Sequence, residues 1–247
     1  MKLKTIYYEI WGADYLIELP TDQAVIAVAS SCEMNRQVLV TAIELGLFNF
    51  SDDPCSGIIK NASVVLDKQS QLEDPDKAAG KNTDLLGDHQ GYQDHVLGRN
   101  PLDIIDYLRR GEYSQNVDRF LRRLSGGRMM GMKWDGQKGL LVQANGTTHS
   151  IFALLPMDLE ILRLSARLVD ILDPLRYPLQ IVTGESLATL DHDHLVRFTD
   201  ELHDLLQPEM QIILVCKLTD VLGSPLSGLP GLRIIELDDK GVPNEQN

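Results

Sequence analysis

Four stretches of the chain bring together side chains that could do chemistry. Asp191-His192-Asp193-His194 sets two imidazoles beside two carboxylates, donors that suit a transition metal. Adjacent residues at a helix start diverge in direction, however, and acidic groups there cap the first turn. The favoured reading is a helix cap, and no metal site is expected. Cys32 lies four residues from Arg36, whose guanidinium would favour a thiolate, but no histidine is placed to complete a nucleophilic pair. Gly184-Glu185-Ser186 lacks the spacing of a nucleophile elbow, and no Ser-His-Asp set can be assembled. Between residues 109 and 138, eight Lys and Arg stand against three Asp and Glu, a local reversal of the chain's acidity. Within it Arg119, Arg122, Arg123 and Arg128 are the candidates for meeting nucleic-acid phosphates. The preferred alternative is a solvated helix face that pairs with the neighbouring acidic insertion.

These groups sit in an acidic chain. Its 247 residues carry 23 Lys and Arg against 36 Asp and Glu, a formal net charge of −13. That balance argues against a protein that holds nucleic acid by charge alone. Hydrophobic residues make up 43%, enough for a sizeable core and too many for a disordered chain. Cys32, Cys55 and Cys216 lie far apart without CxxC spacing, which predicts reduced thiols and a cytoplasmic location. The opening MKLKTIYYEIWGADYLIELP lacks the apolar core and cleavage site of a signal peptide. No apolar run approaches the roughly 20 residues a membrane span needs, so no membrane association is expected.

The elements that must position these residues follow from periodicity. Residues 3–8, 15–19 and 24–28 read as strands, and Val38, Leu39, Ala42, Ile43, Leu45 and Leu47 form the apolar stripe of a helix. Residues 56–66 read as a hairpin or strand pair, and 67–100 as a polar surface insertion. Pro101 opens helical stretches that the glycines of Ser125-Gly126-Gly127 end. Strands at 129–134 and 139–143 are joined by a turn at Asp135-Gly136, and Asn145-Gly146 marks another turn before a strand at 149–154. A helix over 156–172 precedes a strand at 178–183, a helix at 191–206, and strands at 211–216 and 232–237. The alternation predicts an α/β fold: a mixed sheet with an antiparallel, β-rich N-terminal lobe and helices on the sheet faces.

This order resembles the ATPase head of the SMC/RecF superfamily of ABC-type ATPases, a P-loop NTPase fold, and most closely its YhaN-like branch. VIAVASSCEMNRQVLVTAIELGLF is similar to that family's strand, phosphate loop and helix, and PLQIVTGESLATLDHDHLVRFTDEL to its Walker B strand, D-loop and following helix. RFLRRLSGGRMMGMKWDGQKGLLVQANG resembles the segment after the coiled coil. The resemblance implies one head-like domain over 1–247, with an N-terminal lobe at 1–66, the insertion at 67–100 and a C-terminal lobe at 101–247. No sustained heptads occupy the place of the family's coiled coil. Leu124-Ser125-Gly126-Gly127 imitates an ABC signature but lies too far upstream of Gly184-Glu185, and reads as a helix-ending turn.

On that resemblance the chemistry is mostly dismantled. A phosphate loop needs GxxxxGK[ST], so that backbone N–H groups close round phosphate oxygens. The frame here is Ser30-Ser31-Cys32-Glu33-Met34-Asn35-Arg36-Gln37: Ser30 and Asn35 replace the glycines, Arg36 the lysine and Gln37 the metal-binding hydroxyl. Gly184 stands for the metal-side Asp, Leu154-Leu155-Pro156-Met157 for the signature, and Lys217 for the switch histidine. Glu185, the family's water-activating position, and the D-loop-like Asp191 remain. The expectation is therefore a pseudo-ATPase without cofactor, an interaction or scaffold module that meets a protein partner or a second copy, accessory to DNA repair or maintenance. The alternative is an atypical nucleotide hydrolase, with ATP and Mg²⁺, using Glu185 as base and Arg36 on phosphate. A DNA-associated accessory protein that meets phosphates through the basic stretch is a third reading.

Overall fold

A computed structural model of the chain describes residues 2–48, 54–67, 114–172 and 179–244, without the side chains of Ser114, Asp170 and Glu185. The first strand, β1 (Lys2–Ile10), buries Leu3, Ile6, Tyr8 and Ile10. Leu3 and Ile6 share the inner face despite their odd spacing because the register with its neighbour shifts between Leu3 and Thr5. β2 (Ala13–Glu18) turns back on one side of β1. β3 (Val25–Ser30) leads through two residues into α1 (Glu33–Phe48), and β4 (Ile59–Asp67) pairs antiparallel with the other side of β1. The expected strand pair at 56–66 is thus a 3₁₀ turn (Pro54–Ile58) and one strand whose partner lies some fifty residues back. The α1 stripe Val38, Leu39, Ala42 and Ile43 is buried. Gly46 lets the helix close on β4, since a Cβ there would lie 2.7 Å from Val64 Cγ1.

α2 (Ser114–Leu124) precedes a meander of β5 (Met129–Asp135), β6 (Gly139–Ala144) and β7 (Thr147–Ser150). Gly126 and Gly127, at φ of 63° and 84°, end α2 as expected, with the Gly127 N–H donating to Arg122 O. β7 stops at Ser150, and a 3₁₀ turn (Ile151–Ala153) replaces the rest of the expected strand. α3 (Pro156–Ile171) follows, then β8 (Leu179–Thr183), the short α4 (Gly184–Ala188), α5 (His192–Leu205), β9 (Gln211–Cys216), α6 (Leu218–Val221) and β10 (Leu232–Leu237). The expected helix opening at Pro101, up to residue 113, and all of the insertion beyond Asp67 lie outside the described residues.

The parallel sheet has the order β10-β3-β9-β8, and every residue of β3 and β9 is buried. Such strands are covered on both faces, which explains their unbroken apolar runs. On one face Ile26, Val28, Ile181 and Ile213 join the core under α1 and the β2-β1-β4 sheet. On the other, Val25, Ala27, Val182 and Leu214 join Phe120, Leu162, Phe198 and Leu202 of the long helices. Gln211 links the layers: its buried amide accepts from Leu3 N at 2.6 Å and donates to Leu3 O at 2.9 Å. The architecture is mixed α/β, with antiparallel and parallel sheets.

Candidate functional site

The C-terminal ends of β3, β8 and β9 bring the candidate residues together, the place where open parallel sheets hold ligands. Between the last residue of β3 and the first of α1 stand only Ser31 and Cys32. The Cys32 N–H donates to Ser30 Oγ at 3.3 Å, and the Arg36 N–H to Cys32 O at 3.3 Å. Asn35 is already the third helical residue. Its amide donates to Asp238 O and Asp239 O, both at 3.2 Å, and Ser31 Oγ donates to Asp239 Oδ1 at 3.1 Å. The turn that follows β10 therefore roofs the loop.

Arg36 points back into the protein. It is 6% exposed, and its Nη1 donates to Ser30 O at 2.8 Å and Ser31 O at 3.2 Å, the carbonyls that end β3. Glu33, in the first turn of α1, places a carboxylate at the positive end of the helix dipole and accepts from Gln37 Nε2 at 3.3 Å. Gln37 Oε1 in turn faces the Cys55 thiol at 3.9 Å.

Gly184 opens α4 against β9. A Cβ at this position would lie 2.9 Å from Cys216 Cα and 3.3 Å from Asp220 Oδ2. Any larger side chain, an aspartate included, meets backbone there. Glu185 is the second residue of α4, and its side chain lies outside the described residues. Lys217 precedes α6 and donates its backbone N–H to Asp220 Oδ2 at 3.0 Å. In the stretch aligned with the signature, Leu155 is exposed and Pro156 is the first residue of α3.

Asp191 caps α5. Its Oδ1 accepts from the His194 N–H at 2.9 Å and contacts His194 Nδ1 at 2.5 Å. These two contacts hold its carboxyl below the ordinary aspartate range. His194 Nε2 lies 3.2 Å from Arg128 Nη2, and Arg128 also pairs with Asp158 at 2.9 Å. Arg can only donate, so His194 carries its proton on Nδ1. Among the described residues no group of three or more His, Cys, Asp or Glu is placed to hold a metal.

Arg119, Arg122, Arg123 and Arg128 make contacts within the fold. Arg123 Nε pairs with Glu201 at 2.5 Å, Arg122 donates to Met130 O at 3.1 Å, and Arg119 sits 4.6 Å over the Phe120 ring. Burial raises the Glu201 carboxyl above its usual range, and Arg123 works against that rise. Two of the four arginines thus pair with carboxylates of α5 and α3.

Sequence reasoning did not find one feature beside the loop. A cleft of about 270 Å³ is lined by Tyr8, Trp11, Tyr15, Met34, Asn35 and Asp239. Tyr8 and Tyr15 stack with centroids 4.9 Å apart. Their pairing across β1 and β2 was available only from the register set by the Trp11-Gly12 turn.

No protein-family model matches the chain, and no curated protein matches it in sequence. Among solved structures it is similar to an Smc head bound to the C-winged helix domain of ScpA. That match has 14% identity and a TM-score of 0.68, and covers 99% of this chain and 97% of the other. A Pyrococcus furiosus Smc head with an extended coiled coil, bound to the C-terminal domain of ScpA, matches at 12% identity and a TM-score of 0.67, over 98% and 95% of the two chains. A bacterial Atm1-family ABC exporter with ATP bound matches at 13% identity and a TM-score of 0.54, over 98% of this chain and 38% of the exporter. Among the described residues no helix is long and apolar enough to cross a membrane. At these identities the likeness establishes the fold alone: the chain has the fold of SMC-type ABC ATPase head domains.

Proposed function

We propose that this chain is a pseudo-ATPase, a head-fold module that works by binding protein and not by hydrolysing ATP. The observation that carries the reading is Arg36. The only cation in the loop spends its guanidinium on the carbonyls that end β3 and is buried there. A phosphate loop presents free backbone N–H groups and a lysine to its ligand. Here the Cys32 and Arg36 amides are bonded within the loop, and Glu33 sets a like charge beside any phosphate. At Gly184 the approach of Cys216 excludes the aspartate that would ligate Mg²⁺. These residues do not fit a nucleotide and its metal.

A protein partner suits what remains. The two Smc heads of similar fold are each bound to part of ScpA, and we extend to this chain a partner of the protein class, with a cytoplasmic role accessory to DNA repair or maintenance. Direct DNA binding has less support, because Arg123 and Arg128 face Glu201 and Asp158. The alternative hydrolase, with Glu185 as base, requires Arg36 to abandon two carbonyls. Thermal unfolding with and without Mg²⁺-ATP tests the proposal. A ligand at about 100 times its Kd stabilises a protein by about 2.7 kcal/mol. No shift at millimolar Mg²⁺-ATP is expected; a clear rise in the midpoint, or turnover abolished by Glu185→Gln, would sink the reading.

A further inference from the structure

The cleft beside the loop has a polar floor that the fold leaves unpaired. Tyr8, which lines it, is 1% exposed, and its hydroxyl makes no hydrogen bond among the described residues. A buried O–H without a partner is destabilising, and no contact in the described fold offsets it. Burial pushes the Tyr8 phenol above the usual tyrosine range, so it keeps its proton and donates. Asn35 directs its amide NH₂ at Asp238 O and Asp239 O, which leaves Oδ1 as an acceptor without a partner among the described residues. Tyr8 Oη, Asn35 Cγ and Tyr15 Cε1 each lie 3.6 Å from the position a Cβ on Gly241 would take. A donor and an acceptor in one place match a hydroxyl, which accepts from the first and donates to the second.

The walls and the size narrow the occupant further. Tyr15 and Trp11 offer aromatic faces. An apolar cavity of about 150 Å³ takes benzene and drug-sized ligands need about 300–1,000 Å³, so the 270 Å³ here suits one ring and its substituent. Asp239 and Lys240 supply one charge of each sign, which selects no ion. Trp11 itself is held outward at a cost. It occupies the first position of the two-residue turn between β1 and β2, at φ 50°, where a bulky side chain is strained, and it is 79% exposed. Asn145-Gly146 makes the same kind of turn between β6 and β7 with the residues such turns prefer.

We infer that the cleft receives the side chain of a tyrosine on a protein partner, its ring against Tyr15 and Trp11, its hydroxyl accepting from Tyr8 and donating to Asn35. A polypeptide suits the site better than a free phenol because the apolar surface continues outside the cleft. Trp11 and Met34 are exposed at its lips, and Val242, also exposed, follows the Gly241 that packs against Tyr15 and Asn35. Residues flanking the inserted tyrosine would cover that surface, as the neighbours of a buried anchor do. This inference rests on the proposed reading of the chain as a protein-binding module.

Titration of the full chain with the capped tripeptides Leu-Tyr-Leu and Leu-Phe-Leu, followed by NMR shifts of the groups round the cleft, tests it. The tyrosine peptide should bind about tenfold tighter than its phenylalanine twin, and tighter than p-cresol. Tyr8→Phe should abolish the preference without lowering the unfolding midpoint, since the hydroxyl has no partner in the fold to lose. Trp11→Asn should weaken both peptides about tenfold and raise the midpoint by relaxing the turn. Equal binding of the two peptides, a preference that survives Tyr8→Phe, a midpoint lowered by Tyr8→Phe, or p-cresol as tight as the tyrosine peptide overturns the inference. No binding of either peptide, together with no binding of Mg²⁺-ATP, overturns this inference alone. Mg²⁺-ATP that displaces the peptide from the cleft overturns the protein-binding reading as well.

Discussion

Replacing Arg36 by alanine separates a structural arginine from a phosphate ligand. The guanidinium is 6% exposed and donates at 2.8 and 3.2 Å to the carbonyls of Ser30, itself 1% exposed, and Ser31. Hydrogen bonds from a charged donor contribute about 1.5–3 kcal/mol each, and an acceptor left buried without a partner adds its own desolvation cost. The second bond is longer and half-exposed, so the total loss should be about 2–4 kcal/mol. In a chain of this size each kcal/mol moves the thermal midpoint by roughly 2–4 °C, which gives a fall of roughly 5–15 °C. Calorimetric melts and urea unfolding at constant m-value would measure it. If Arg36 were held ready for phosphate, its removal would change stability by no more than about 0.5 kcal/mol, as at ordinary surface sites. An unchanged midpoint together with weakened Mg²⁺-ATP binding would refute the argument.

Other expectations follow from the same geometry. Gly184→Asp, the substitution that would rebuild the metal position, should cost about 1–3 kcal/mol by overpacking against Cys216 and should confer no Mg²⁺ binding by calorimetry. Asp191→Ala should cost about 1 kcal/mol in urea unfolding through loss of the α5 cap. Because the native state lowers the Asp191 carboxyl, its stabilisation is complete above the unfolded value, near 3.9, and is lost as pH falls through the native one. Asp191→Asn should keep a capping oxygen and flatten that acid limb. Arg123→Ala should free Glu201 to rise further, so the variant's stability should fall as pH climbs from about 4.3 towards the raised value. A low-salt gel shift with duplex DNA should show no complex, and one that disappears when Arg122 and Arg123 are replaced would overturn the pairing argument.

Local chemistry was legible in the sequence, and contacts across the chain were not. The unbroken apolar runs of β3 and β9, the α1 stripe and the Gly126-Gly127 helix end all rest on short-range rules, and each formed where expected. Residues 56–66 misled because their alternation states a strand without naming its partner, β1, which lies at the start of the chain. The same limit hid the site. Arg36 could be read as a displaced phosphate cation, but its turn onto Ser30 O depends on how tightly α1 follows β3. The roof over Asn35 comes from residues 238 and 239, more than 200 positions away. Nothing near Gly184 in sequence announces that Cys216 closes on it. The carboxylates that face Arg123 and Arg128, Glu201 and Asp158, belong to helices that periodicity placed but could not orient.

Titration of the full chain with Mg²⁺-ATP in a calorimeter tests the central claim most directly. A loop whose cation is buried on its own strand, and whose metal position is closed by Cys216, should give only heats of dilution up to millimolar nucleotide. A saturable, Mg²⁺-dependent isotherm in the micromolar range would contradict it.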